Sequence, residues 1–298
     1  GPGEREVLER PPTTHREAYE RYLQGRTLAD QVRRSANRLA EQALREALVI
    51  DPAFALAHAA LTDVLVRRVQ LGWGDRAPLA EARTHAERAL ALDAGLPQSH
   101  VALARVLQME GDPAGVLEHL RAADLLEARE PELMSWIGRT YMGLGRWEEA
   151  LALLERARTL HPRDVGLLSC YIDCLVAMDR REREPELLAR MREVLIDQLE
   201  RNPHDTYARG LLAITLAQAG DHAGGIAQAE RAVAEEQEDG RAFYNAACAY
   251  TYAGQHERAL EMLRRLVAMQ PDYPRDWVRR DPDLTPLHAY PAFEEIVG

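Results

Sequence analysis

Metal and nucleophile chemistry rests largely on histidine and cysteine, and this chain holds 10 of the first and 3 of the second. No histidine falls in an HExxH pair or in a Cys/His cluster with zinc-ligand spacing. Cys170 and Cys174 stand one helical turn apart and Cys248 stands alone. Free cysteine behaves as a small apolar residue, so all three are read as packing. There is no GxSxG elbow, phosphate-cradling glycine loop or dinucleotide fingerprint. Carboxylate pairs such as Glu148-Glu149 are what solvated helix faces carry. The expectation is a protein without catalytic residues, metal or cofactor.

What remains is recognition chemistry, and its candidates become visible only once the chain is cut into repeating units. Ala150, Leu154, Ala157 and Pro162 follow one another at spacings that recur seven times, from Ala40-Leu44-Ala47-Pro52 to Ala259-Leu263-Leu266-Pro271. The basic unit is 34 residues, with two longer members of 42 and 41. Within a unit, Ile137 and Tyr141 mark one helical stripe and Leu151, Leu154 and Ala157 a second. Gly111, Gly145, Gly220 and Gly254 fall between the two helices, where a left-handed residue ends the first. Pro52, Pro162, Pro203 and Pro271 fall beyond the second, where the missing N–H forbids continuation. Small residues at Gly138, Ala104, Ala213 and Ala247 face Ala150 and Ala259, which lets the helix axes approach closely.

These residues resemble the tetratricopeptide repeat family, a 34-residue helix-turn-helix with small residues at the crossing and proline near its end. The copies at 131–164 and 240–273 carry the pattern most fully, and the resemblance spans about 16–273. It implies an all-α fold, an α-solenoid or right-handed superhelix of about seven helix pairs, with the first helices lining an inner groove. Aligning the units brings Arg26, Asp63, Arg105, Arg139, Asp173, Ile214 and Cys248 into one column of that groove, with Tyr207 and Tyr244 beside it. Arg105 and Arg139 either converge on one acidic group of a partner or pair with local glutamates such as Glu132. The family's carboxylate clamp for chaperone tails uses lysine and asparagine. This chain has no lysine, and Asn245 is its one asparagine at a comparable inner position, so a chaperone tail is not the expected ligand.

Departures from the repeat locate further features. QLGWGDRAPLAE, residues 70–81, is an insertion whose Trp73 either covers its own helix pair or meets a partner. DRREREPELLARMRE, residues 179–193, sets a charged loop before a long helix, with Met191 and Gln198 in place of small residues; a bend near 176–190 is expected. The acidic EEQED, residues 235–239, opposes the macrodipole at a helix end and is read as solvated, with Arg241 offsetting it. Residues 274–298, through Trp277, Leu284, Leu287, Phe293, Ile296 and Val297, are expected to cap the last pair. Gly1-Pro2 reads as the remnant of a cleaved affinity tag and residues 1–14 as scar and linker, leaving 15–273 for the array.

Composition bounds the partners. A net charge of −11 repels phosphate backbones and anionic lipid, so neither nucleic acid nor membrane is expected. Too few cysteines for a disulfide framework, no apolar run long enough to span a bilayer and no leader suggest the cytoplasm. All 37 basic residues are arginines, as a GC-rich bacterial genome would produce. Short segments at both ends, AYERYLQGR and the tail after Tyr273, resemble tetratricopeptide arrays attached to bacterial serine/threonine kinases, nucleotide cyclases and winged-helix regulators. The function expected is a non-enzymatic protein- or peptide-binding scaffold, the docking or sensory part of a bacterial signalling protein. The alternative is a receptor whose response to a ligand or peptide controls an attached catalytic or DNA-binding domain.

Overall fold

A computed structural model describes residues 12–30, 34–71, 73, 77–235, 240–270, 273 and 275–298. Pro271, Gln237 and the rest of 236–239 lie outside the described residues, as does the side chain of Trp277. Among the described residues the regular structure is helical throughout. Seven consecutive hairpins are formed by α1 (Arg16–Ala29) and α2 (Arg34–Ile50), α3 (Ala55–Gln70) and α4 (Pro78–Leu92), α5 (Pro97–Glu110) and α6 (Pro113–Leu125), α7 (Pro131–Gly143) and α8 (Trp147–Leu160), α9 (Val165–Ala177) and α10 (Glu184–Arg201), α11 (Thr206–Gln218) and α12 (His222–Glu235), and α13 (Arg241–Tyr252) and α14 (His256–Met269). A short α15 (Arg275–Arg280), a 3-10 segment (Pro282–Ala289) and α16 (Pro291–Val297) follow. The chain divides into two compact units, one ending at Leu133 and the other beginning at Met134.

Local chemistry explains why each hairpin turns where it does. Gly111, Gly145, Gly220 and Gly254 all have positive φ, 79, 70, 91 and 71°. After each, the next amide reaches back over the helix end: Arg146 N to Tyr141 O at 2.8 Å and Gln255 N to Tyr250 O at 2.8 Å. The fifth hairpin makes the same turn without glycine. Asp179 takes φ 56°, and Arg180 N bonds Leu175 O at 2.8 Å. Aspartate tolerates this conformation better than most residues but still at a cost. Asp179→Gly is therefore expected to stabilise the chain by about 0.5–1 kcal/mol, read as a raised urea midpoint with unchanged slope. Helix starts are set by Asp112, Asp164 and Asp205, whose carboxylates accept from Gly115, Leu167 and Ala208 amides.

The small residues at the crossings are fully buried: Ala104, Ala150, Ala213, Ala247 and Ala259 show no exposure. At Gly138 an added Cβ would stand 3.0 Å from Leu154 Cδ2. At Gly225 it would meet Ala213 O at 2.8 Å, so there the α12 backbone lies directly against α11. After the last hairpin, Val278, Leu284, Leu287, Phe293, Ile296 and Val297 bury against Leu260, Leu263, Leu266 and Tyr250, which removes from water the apolar face that an unpaired final hairpin would leave open. No helix among the described residues is long and apolar enough to cross a membrane.

Candidate functional site

In the first unit, adjacent first helices pack side by side and bring Arg26, Asp63 and Arg105 into one cleft of about 100 Å³. All three are already engaged. Arg26 Nη1 donates to Tyr22 Oη at 3.1 Å and lies 3.4 Å from Glu130 Oε2, whose other oxygen accepts from Gln98 Nε2 at 2.5 Å. Asp63 binds Arg67 Nη2 at 3.0 Å on its own helix and pairs with Arg105 from the next hairpin. Burial opposes the Asp63 charge, but Arg105 and Arg67 outweigh it and hold the carboxyl below its ordinary range. Arg105 thus pairs with a column neighbour, Asp63. It also belongs to a different compact unit from Arg139.

The second unit presents a different wall. Arg139, on α7, is exposed and makes no hydrogen bond or ion pair among the described residues. The Cys170 sulfur raises its pKa despite the cost of losing water, with Tyr207 and Asp173 adding to the effect. Tyr207, on α11, keeps 45% of its surface open, and the Arg241 guanidinium sits 4.8 Å from its ring centroid. The thiol of Cys170 is buried and pushed up to about 11. Cys174 and Cys248 are also buried, in keeping with packing roles.

Facing this basic pole is an acidic one. Asp173, on α9, has surface open to solvent, but its carboxyl is crowded enough by the surrounding protein that loss of water, with Asp283 and Asp281 adding, raises it well above the carboxylate range. Those two follow α15. Tyr244 donates to Asp281, and Tyr252 Oη donates to Asp283 Oδ1 at 2.7 Å. Tyr244 is itself buried, and this bond fastens the C-terminal segment to α13. Burial, with Asp281 adding, pushes Asp283 up to about 7. A raised carboxyl means the folded chain binds more protons than the unfolded one, so this group costs stability as pH rises from about 4 through 7. Asp283→Asn, which keeps the shape and removes the charge, is expected to raise the melting temperature by a few degrees at pH 8 and to have little effect at pH 4, measured by scanning calorimetry.

Sequence reasoning missed Asp281 and Asp283 because they lie outside the repeat; the DPD that follows α15 was the available signal. Trp73 is half-buried, and its amide bonds Arg68 O at 2.9 Å. Residues 72 and 74–76 around it are outside the described residues. Glu235 is held by Arg231 at 2.8 Å and lies 3.7 Å from Arg209; the rest of the acidic run, 236–239, lies outside the described residues. Among the described residues no group of three or more His, Cys, Asp or Glu is placed to hold a metal.

Stacked α-hairpins with small residues at most of their crossings define a helical-repeat protein. Residues 107–169 and 241–273 each match a tetratricopeptide repeat profile, so the chain carries tetratricopeptide repeats. It is 31% identical over 133 residues to the interferon-induced protein with tetratricopeptide repeats 3 of Mus musculus, a match covering 45% of this chain and 32% of that protein. The chain thus spans about a third of that relative's length. The human IFIT1 dimer solved with PPP-AAAA superposes with a TM-score of 0.54 at 18% identity, covering 88% of this chain and 66% of that one. A tetratricopeptide repeat protein from Parabacteroides merdae gives 0.49 at 15% identity, covering 89% and 97%.

Proposed function

We propose that the chain is a non-enzymatic scaffold that binds a protein or peptide through the first helices of its second unit. Arg139 carries the proposal: it is an exposed guanidinium with no hydrogen bond or ion pair among the described residues, beside an open tyrosine that has a second arginine on its ring. Such a group can take an acidic side chain or a terminal carboxylate in a forked pair. Asp173, close enough to Arg139 for each to shift the other's pKa, offers a carboxyl whose ionisation a basic residue of the same segment would favour. Tyr207 offers a flat face near Arg139. Arg26, Asp63 and Arg105 belong on this reading to the first unit's internal bracing.

In its biological setting we place the chain as the docking or sensory part of a bacterial signalling protein, working in the cytoplasm. The arginine-only basic complement, the unpaired buried cysteines and the absence of any catalytic constellation support that placement. Net charge of −11 favours a peptide over nucleic acid. The test is selection of binders from a randomised peptide library, repeated with Arg139→Glu and with PPP-AAAA as a competing ligand. Enrichment of acidic peptides that the variant no longer binds supports the scaffold. Retention of PPP-AAAA with no peptide enriched would replace it with an RNA reading, for which the likeness to human IFIT1 is the motive.

A further inference from the structure

The second and third hairpins of the first unit share a construction that the cleft does not use. His58 on α3 and His100 on α5 stand at equivalent repeat positions, as do His85 on α4 and His119 on α6. His58 Nδ1 lies 2.8 Å from His85 Nδ1, and His100 Nδ1 lies 3.0 Å from His119 Nδ1. The other nitrogen of each first-helix ring is taken: His58 Nε2 is 3.1 Å from Pro52 O and His100 Nε2 is 3.1 Å from Ala94 O. A carbonyl can only accept, so each Nε2 carries a proton and each facing Nδ1 is a lone pair in the neutral ring. His85 and His119 must then donate across the gap. Each N–N gap has room for one proton.

A proton added at Nδ1 of His58 or His100 would set two N–H groups head to head and place a cationic ring 5.0 or 5.3 Å from its neighbour, whereas one added at Nε2 of His85 or His119 would leave the gap intact. The neighbours do little to relieve this. Around the first pair stand Asp51 before α3, Glu81 and Arg88 on α4 and Arg45 on α2; Glu81 Oε1 is 3.7 Å from His85 Nε2 but is already bound by Arg45 at 2.9 Å. At the second pair, Glu118 on α6 favours the charged form of His119, against burial and the facing His100 ring. Burial holds His58, His85 and His119 below the ordinary histidine range, and the facing ring adds to this at His58 and His119.

We propose that the His58–His85 and His100–His119 pairs form a proton-operated latch, which holds these two hairpins shut near neutral pH and releases them in mild acid. The helices it holds, α3 and α5, are those joined by the Asp63–Arg105 ion pair, so release loosens the first unit's cleft. The sixth hairpin makes the same contact without a titrating group: Arg209 donates to Pro203 O and, at 3.1 Å, to Gln228 Oε1 from the matching positions. The direction follows from linkage. Histidines depressed in the closed state bind protons more readily once released, so closure is fully favoured above about pH 7.5 and weakens as pH falls through about 6.5.

Hydrogen exchange on the whole chain at pH 7.5 and 5.5, corrected for intrinsic rates, tests this. Opening of α3–α6 should rise about tenfold per pair at the lower pH, given an ordinary histidine value near 6.5. In H85Q/H119Q, which installs the residue the sixth hairpin already uses, that rise should vanish. Equal protection of α3–α6 at both pH values, or the same loss in the double variant, overturns the latch. Should the variant not fold, imidazole NMR of the unaltered chain decides. Nδ1 of His58 and His100 remaining unprotonated at pH 6 supports the latch, and rings titrating at ordinary values overturn it.

Discussion

Gly225→Leu is expected to give the largest loss of stability of any single substitution considered, more than about 3 kcal/mol, because it asks for space that backbone atoms occupy. A Cβ at this position would fall 2.8 Å from Ala213 O, 2.9 Å from Ala217 Cβ and 3.0 Å from Ala217 N, all on α11. No rotamer change relieves a clash with a carbonyl and an amide, so α11 and α12 must separate. That separation would uncover Ala213 and Ala229, both without exposure, and strain the junction with α13. Gly138→Ala is the instructive comparison. Its new Cβ would meet only the Leu154 side chain, 3.0 Å away, which can turn aside, and about 1 kcal/mol is expected. Urea unfolding followed by far-ultraviolet circular dichroism reads both. A larger shift for Gly138→Ala than for Gly225→Leu would show that the closeness of α11 and α12 does not govern their stability.

The features legible in the sequence were those that repeat. Gly111, Gly145, Gly220 and Gly254 could be placed because only glycine adopts their φ freely and because they return at one register. Asp179 fills the same conformational role but is hidden in a charged stretch that reads as a plain loop. The column of first-helix side chains was visible in the same way, and Arg26, Asp63 and Arg105 do share a cleft. What the alignment could not supply was partner choice. Whether Arg105 reaches Asp63 or Glu132 depends on how far one hairpin is rotated on the next, a quantity that residue spacing does not encode. The acidic pole was illegible for a different reason: Asp281 and Asp283 come from irregular chain after the last repeat and reach their places through Tyr244 and Tyr252. The burial of Tyr244 is hidden for the same reason, since its partner Asp281 belongs to a segment with no periodicity to read.

Arg139→Glu is expected to weaken binding of an acidic peptide segment by about thirtyfold or more while leaving helicity and melting almost unchanged. The two halves of that expectation have separate grounds. Stability should move by no more than about 0.5 kcal/mol, because the exposed guanidinium has no hydrogen bond or ion pair among the described residues to lose. Binding should respond strongly because the substitution converts a charge-assisted attraction into repulsion beside Asp173, whose ionisation Arg139 now favours. The new carboxylate should make Asp173 still harder to ionise, so the wall would lose both poles together. Salt supplies an independent reading: affinity of the unaltered chain should fall as ionic strength rises, and the variant's residual affinity should depend on it much less. Arg129→Glu alters net charge equally at an exposed position outside this wall and is expected to leave affinity within about twofold. Equal losses from the two variants, measured by isothermal titration with one selected peptide, would mean that the whole-molecule field rather than the Arg139 wall attracts the partner.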